Sequence, residues 1–342
     1  MHNSQIPDIN AGIAKTGKVI IALGCSFVQG QAAIDMEILE EFPSKCDSLG
    51  VPMDIGSAAD AENLLSRFPL LIRRNNGSID YTFMEYKNAF VNILCSELFA
   101  GEYTPINLGR RGNGNRATIK DLYFYPEINW EKVKEYIVIY APSGLERFDF
   151  IDDTFLDHNK WIAMWPHYKD VDEPRRRLWR GYNDCLWSDK FEALEQLAHA
   201  QELVQWCKLR NAKLITVPAF DRRYNKTYFT TSLRKLHYRD FHRNKISGPG
   251  GLEIDPERDA SRFINLFPWE TLFRPQDCET FADLAVKQEF ADFKDRSFFE
   301  FFKTGSPNQW ITACAHPSAK AHRLLANELY NYIMESKDET NT

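Results

Sequence analysis

Four short apolar runs, Val19–Leu23, Pro105–Leu108, Tyr136–Tyr140 and Leu214–Val217, set the tightest limit on how this chain folds. They are nearly continuous, rich in β-branched residues and followed by turn formers, the pattern of strands buried on both faces of a parallel sheet. Helical patterns lie between them, over Asn88–Phe99 and Trp187–Leu209, where Leu194, Leu197, Val204 and Trp206 recur at roughly helical spacing. Strand and helix in alternation predict an α/β fold, a three-layer sandwich around a parallel central sheet. Phe263–Leu266 is a weaker candidate for a fifth strand. A last helix is expected from Pro317 to Met334, with Pro317 in its first turn and Leu324, Leu325, Leu329 and Ile333 as its buried stripe.

At 342 residues the chain is longer than such a sandwich requires, so a single domain over 1–342 carrying large insertions is expected. Residues 34–80 hold Pro43, Gly50, Pro52, Gly56, Pro69 and Gly77 with little periodicity and read as irregular. Residues 151–186 and 221–310 are dense in Trp, Arg and acidic residues. The three insertions are expected to form a cap or lid at the carboxyl ends of the strands, where open α/β sheets bind ligands. The polar tail Glu335–Thr342 is expected to fray.

A formal net charge of -6 argues against a protein that coats nucleic acid by neutralising phosphates, and nucleic acid is not expected as a partner. Residues 221–246 hold eight Lys or Arg against two acids, interleaved with aromatic side chains, the look of a phosphate-binding surface. Residues 252–300 hold twelve acids against six bases, so the favoured reading is a cap whose charges pair internally. Seven scattered cysteines (25, 46, 95, 185, 207, 278 and 314) with no C-x-x-C pair suit reduced thiols better than disulfides or zinc. No metal or organic cofactor is expected. No apolar run approaches the 18 or so residues of a membrane span, and the first ten residues lack a leader pattern, so no membrane partner and a cytoplasmic location are expected.

Chemistry concentrates in two places. Gly24-Cys25-Ser26-Phe27-Val28-Gln29-Gly30 directly follows the first strand, where small residues let the chain turn sharply and lift the Ser26 hydroxyl to the sheet edge. It is neither G-x-G-x-x-G nor a Walker A loop, and by itself it also fits a plain structural turn. At the far end, His316-Pro317-Ser318 opens the last helix. A Ser after the first strand and a His before the last helix both fall at the carboxyl edge of the sheet, where they can meet as nucleophile and base. His322, six residues on, does not share the face of His316 and reads as structural.

With these blocks in place the chain resembles the SGNH, or GDSL-type, hydrolase superfamily, and most of all the SGNH-like proteins of tailed bacteriophages, which would place it in a bacterial host's cytoplasm. The resemblance implies an SGNH hydrolase/flavodoxin-like sheet and a serine hydrolase that cleaves an ester or acyl group, from an acylated small molecule or polymer. It makes Ser26 the nucleophile and His316 the base. Oxyanion donors would be the N–H groups of Ser26 and of Gly112, within Asn107-Leu108-Gly109-Arg110-Arg111-Gly112-Asn113-Gly114-Asn115.

Two departures stand out. The third block is Tyr140-Ala141-Pro142-Ser143-Gly144-Leu145-Glu146-Arg147, without the family's Asn, so Asn115 or Ser143 would have to complete the oxyanion hole. The triad acid, three residues before His316, is replaced by Ala313. A backbone carbonyl takes over, or the protein is a weakened relative or an engineered inactive variant. Acyl transfer at the same site and a catalytically impaired binding module therefore stay open beside hydrolysis. Ser143 and Arg147 are candidate substrate-binding residues. Arg147 either faces the pocket or grounds a buried carboxylate such as Asp149, and Gly112, Gly114 and Asn115 also fit a tight strand-to-helix turn.

Overall fold

The computed structural model describes residues 8–31, 33, 58–73, 79–80, 82–110, 113–123, 128–145, 147–152, 160–164, 177, 180–181, 189–233, 263–290, 292–296, 308–312 and 316–340. In chain order the elements are α1 (Ile9–Thr16), β1 (Lys18–Gly24), α2 (Ser26–Gln29), α3 (Ala58–Arg67), β2 (Ile72–Arg73), β3 (Ile79–Asp80), α4 (Thr82–Asn88), α5 (Phe90–Ile93), β4 (Thr104–Asn107), α6 (Asn115–Asp121), β5 (Glu135–Ala141), β6 (Phe148–Asp152), β7 (Lys160–Met164), α7 (Asp189–Leu209), β8 (Lys213–Thr216), α8 (Phe281–Glu289) and α9 (Ala319–Thr340).

The central sheet has the order β4-β1-β5-β8, and all its strand pairs are parallel. Alternate residues serve opposite faces, as the pleat requires. Ile20, Ala22, Ile137, Ile139 and Ile215 pack against Phe90, Phe281, Leu284, Leu325 and Leu329 of α5, α8 and α9. Val19, Ile21, Leu23, Tyr136 and Val138 pack against Ile13, Ile119, Leu203 and Trp206 of α1, α6 and α7. Both faces are apolar, which is why these strands read as unbroken hydrophobic runs. The chain leaves β1 towards β4 over one face and returns past β1 to β5 over the other, the reversal that right-handed crossovers impose. This is the flavodoxin-like order, whose ligand crevice opens beyond the carboxyl ends of the two strands at the reversal, here β1 and β5.

Several expectations need correcting. Phe263–Leu266 is no strand: Leu266 N–H bonds to Phe263 O at 3.0 Å and Phe267 N–H to Ile264 O at 3.3 Å, so the run curls into turns. Two of its apolar groups, Ile264 and Leu266, pack instead beside Phe229, Phe267 and Trp269 against α7, while Phe263 is exposed. The place beyond β8 falls to Leu272, through one parallel bridge to Thr216. The stretch 88–99 is no single helix. It breaks at Ala89, restarts as α5 and widens into a π turn over Leu94–Leu98. Within 34–80, thought irregular, lie α3 and the β2–β3 antiparallel pair. The last helix starts after Ser318 and extends to Thr340, through most of the tail expected to fray. Of residues 221–310, α8 belongs to the core itself, with Phe281, Leu284 and Val286 all buried. Among the described residues no helix is long and apolar enough to cross a membrane.

Candidate active site

Because the sheet is parallel, every strand delivers its following loop to one edge, and these loops assemble the site. The β1 loop enters α2, a single helical turn with Gly30 as its left-handed cap at φ 85°. As the first residue of that helix, Ser26 has an N–H with no carbonyl one turn earlier to bond. Its Oγ lies 2.9 Å from Nε2 of His316, 290 positions away in the chain. Ser26 is 5% exposed and His316 is half-buried.

His316 is held by a residue that sequence reading passed over. Thr312 N–H and Oγ1–H donate to His316 O at 2.9 and 3.1 Å, and Thr312 Oγ1 accepts from His316 N–H at 3.3 Å. An antiparallel bridge from Ile311 to Pro317 closes the same loop. Thr312 thus fixes both backbone poles of His316. A hydroxyl four residues before a histidine carries no motif of its own, so only the folded loop reveals it. The imidazole packs on Phe27 (ring centroids 5.1 Å apart), Phe27 on Phe220 (5.1 Å), and the Arg147 guanidinium over Phe220 (5.2 Å).

The β4 loop is cemented to the Ser26 turn. Asn107 Nδ2–H donates to Val28 O at 3.1 Å while its Oδ1 accepts from Gly109 N–H at 3.0 Å. A Cβ at Gly109 would come within 2.4 Å of Gln29 N, so only glycine lets the two loops touch. Arg110 N–H donates to Gly24 O at 3.2 Å, and Asn113 N–H closes a turn onto Arg110 O at 3.2 Å.

Gly112 and Ala313 lie outside the described residues. Asn115, put forward as an oxyanion donor, is 2% exposed with its carboxamide engaged: Nδ2–H groups go to Tyr224 Oη (2.8 Å) and Ser143 O (3.3 Å), and Oδ1 accepts from Ser143 N–H (2.7 Å). It is a strut between α6 and the β5 loop, with both carboxamide protons engaged. Ser143, put forward as an oxyanion donor or substrate contact, is 1% exposed and gives its hydroxyl proton to Asn113 O at 3.2 Å. Arg147 donates from Nη1 to the same carbonyl at 2.8 Å.

Asp149 is buried at the amino end of α6, where Oδ1 accepts from Gly114 N–H (2.9 Å) and Oδ2 from Ala117 N–H (3.0 Å). Burial pushes its carboxyl up to about 6, against the pull of those N–H donors and of Arg147. Asp121 is also raised to about 6 by burial, offset by Arg110 and Asn113. His322 is wholly buried, stacked on Phe90 and edge-on to Phe281. Its Nδ1 accepts from Phe90 N–H at 3.2 Å, and burial lowers its pKa to about 3, so it is neutral and structural. Among the described residues no group of His, Cys, Asp or Glu is placed to hold a metal.

No family model matches the chain, and no curated protein matches it. Among solved structures it is similar to the crystal structure of LAE5, an alpha/beta hydrolase enzyme from the metagenome of Lake Arreo, Spain. The identity is 14%, 92% of this chain and 94% of that one are covered, and the TM-score is 0.32.

Proposed function

We propose that this protein is a serine hydrolase of the SGNH type, acting on an ester or acyl group. The observation that carries the reading is the 2.9 Å contact of Ser26 Oγ with His316 Nε2 at the carboxyl edge of the sheet. In this reading Nε2 takes the hydroxyl proton as Oγ attacks the acyl carbon, and the tetrahedral oxyanion is met by the N–H groups of Ser26 and Gly112. The imidazolium then protonates the leaving oxygen, giving an acyl-Ser26 ester. Water, deprotonated by the same imidazole, releases the acid. An acceptor other than water would turn the same steps into acyl transfer.

A fluorophosphonate probe tests the reading. Labelling that maps to Ser26 and disappears in Ser26→Ala is the expected result; a label elsewhere or none overturns it. The Ala at 313 favours a second reading, a binding module on a decayed site, which an unlabelled but folded protein would support.

A further inference from the structure

We propose that Asp149, Arg147 and Ser143 are positioning residues that grip one peptide unit, Asn113–Gly114, and so fix the loop after β4 against the Ser26 turn. The inference rests on the hydrolase reading above and assigns these residues a task in it. The carbonyl of that unit accepts from Arg147 Nη1–H at 2.8 Å and from Ser143 Oγ–H at 3.2 Å. The N–H of the same unit donates to Asp149 Oδ1 at 2.9 Å. Both poles of one peptide plane are therefore held by side chains from a single short stretch, 143–149, on the loop after β5 and the start of β6.

The choice of glycine at 114 follows from the same grip. Its φ of -87° is open to any residue, yet a Cβ there would lie 2.5 Å from Asp149 Oδ2. The glycine is needed for space against the carboxylate, and the carboxylate is there for the peptide N–H. The gripped peptide directly follows the turn that Asn113 N–H closes on Arg110 O at 3.2 Å, and Arg110 N–H is tied to Gly24 O, two residues before Ser26. Asp121 adds a side-chain tie across the turn, with Arg110 Nε at 3.3 Å and Asn113 Nδ2 at 3.4 Å. The residues flanking 111–112 are thus fixed through main chain and side chain alike.

In the family resembled, the third block lends an Asn side chain to the oxyanion. In this chain the corresponding stretch holds the Asn113–Gly114 peptide in place instead. Catalytic geometry is steep, since a displacement of about 1 Å can cost on the order of 100-fold in rate.

The test measures kcat and KM on a neutral aryl acetate and on an aryl hemisuccinate, which carries a carboxylate. The proteins are the parent, Arg147→Gln, Arg147→Lys, Ser143→Ala, Asp149→Asn and Ser26→Ala, each with its melting curve. The expected result is a fall in kcat of roughly 10- to 100-fold in Arg147→Gln and Ser143→Ala, equal for both esters, with KM little changed. Arg147→Lys, which keeps a donor for the Asn113 carbonyl, should recover much of the loss. A rise in KM for the hemisuccinate alone would make Arg147 a substrate-binding residue and overturn the proposal. Melting points that fall while kcat per folded molecule holds would reduce the trio to a structural role and overturn it as well. Parent turnover that is absent, or survives Ser26→Ala, would overturn the hydrolase reading and this inference with it, a pattern distinct from active, Ser26-dependent parent enzyme with unaffected variants.

Discussion

His316 needs more than a hydrogen bond to Ser26 to act as a base: its ring must present the right tautomer and its cation must be stabilised. A carboxylate commonly does both, and replacing it by an amide in a serine protease triad lowers turnover about 10⁴-fold. Ala313 stands where the resemblance puts that carboxylate. Ala313→Asp is therefore expected to raise aryl-ester turnover, by roughly 10- to 10⁴-fold, the lower end applying if a carbonyl already orients the ring. Ser26→Ala should abolish turnover in both backgrounds. An unchanged rate in folded Ala313→Asp protein would show that another group orients the imidazole. Thr312→Val tests the same histidine from its backbone side. Losing the hydroxyl that bridges His316 N–H and O should lower kcat about 10-fold, within the scale set by misplacing a catalytic group, and leave KM alone.

At the level of elements, the candidate site rests on two interlocking strand-end loops. Gly109 is their contact point, its missing Cβ leaving room for the Gln29 N and Val28 backbone of α2. Gly109→Ala drives a methyl into backbone that cannot rotate away. It should destabilise the fold by about 1–3 kcal/mol, the usual cost of overpacking, and lower kcat by shifting Ser26, as urea unfolding and ester hydrolysis would record. The strands and the long helices were legible in the sequence because each is written in its own residues: β1 and β5 are apolar on both faces, and α9 carries Leu325, Leu329 and Ile333 on one stripe. Ser26 and His316 were legible because each follows or precedes such an element. The grip on Asn113–Gly114 was not, since Gly114 and Asp149 are 35 residues apart and neither residue type marks the other. Nor was the loss of strand character at Phe263–Leu266. An apolar run does not say which backbone it takes, and here Ile264 and Leu266 are half-buried by turning onto Phe267 and Trp269 while Phe263 stays exposed.

Across the whole molecule, buried titrating groups oppose one another. Asp149 and Asp121 are raised from 3.8 to about 6 by burial. The folded state therefore takes up their protons before the unfolded chain does, and the stability they contribute is full below about pH 4 and lost as pH rises through about 6. His322 and His199 are lowered from 6.5 to about 3 and about 4, also by burial. Their contribution is full above about pH 6.5 and drains away as pH falls, because the unfolded chain now binds the protons first. Between about pH 4 and 6 these two carboxylates, with Glu195 likewise raised by burial, push stability up on acidification while the two imidazoles pull it down, so removing one member of either set should tilt the balance. His322→Phe, whose ring can occupy the same slot between Phe90 and Phe281, should lose less stability than the parent on going from pH 7 to pH 4.5. Asp149→Asn should lose more, by about 1.4 kcal/mol per pH unit across the window in which Asp149 titrates. Urea unfolding free energies at the two pH values measure both slopes. Parallel curves for parent and Asp149→Asn would mean that Asp149 keeps an ordinary carboxylate pKa, so that its N–H donors, from Gly114, Arg116 and Ala117, and Arg147 balance its burial.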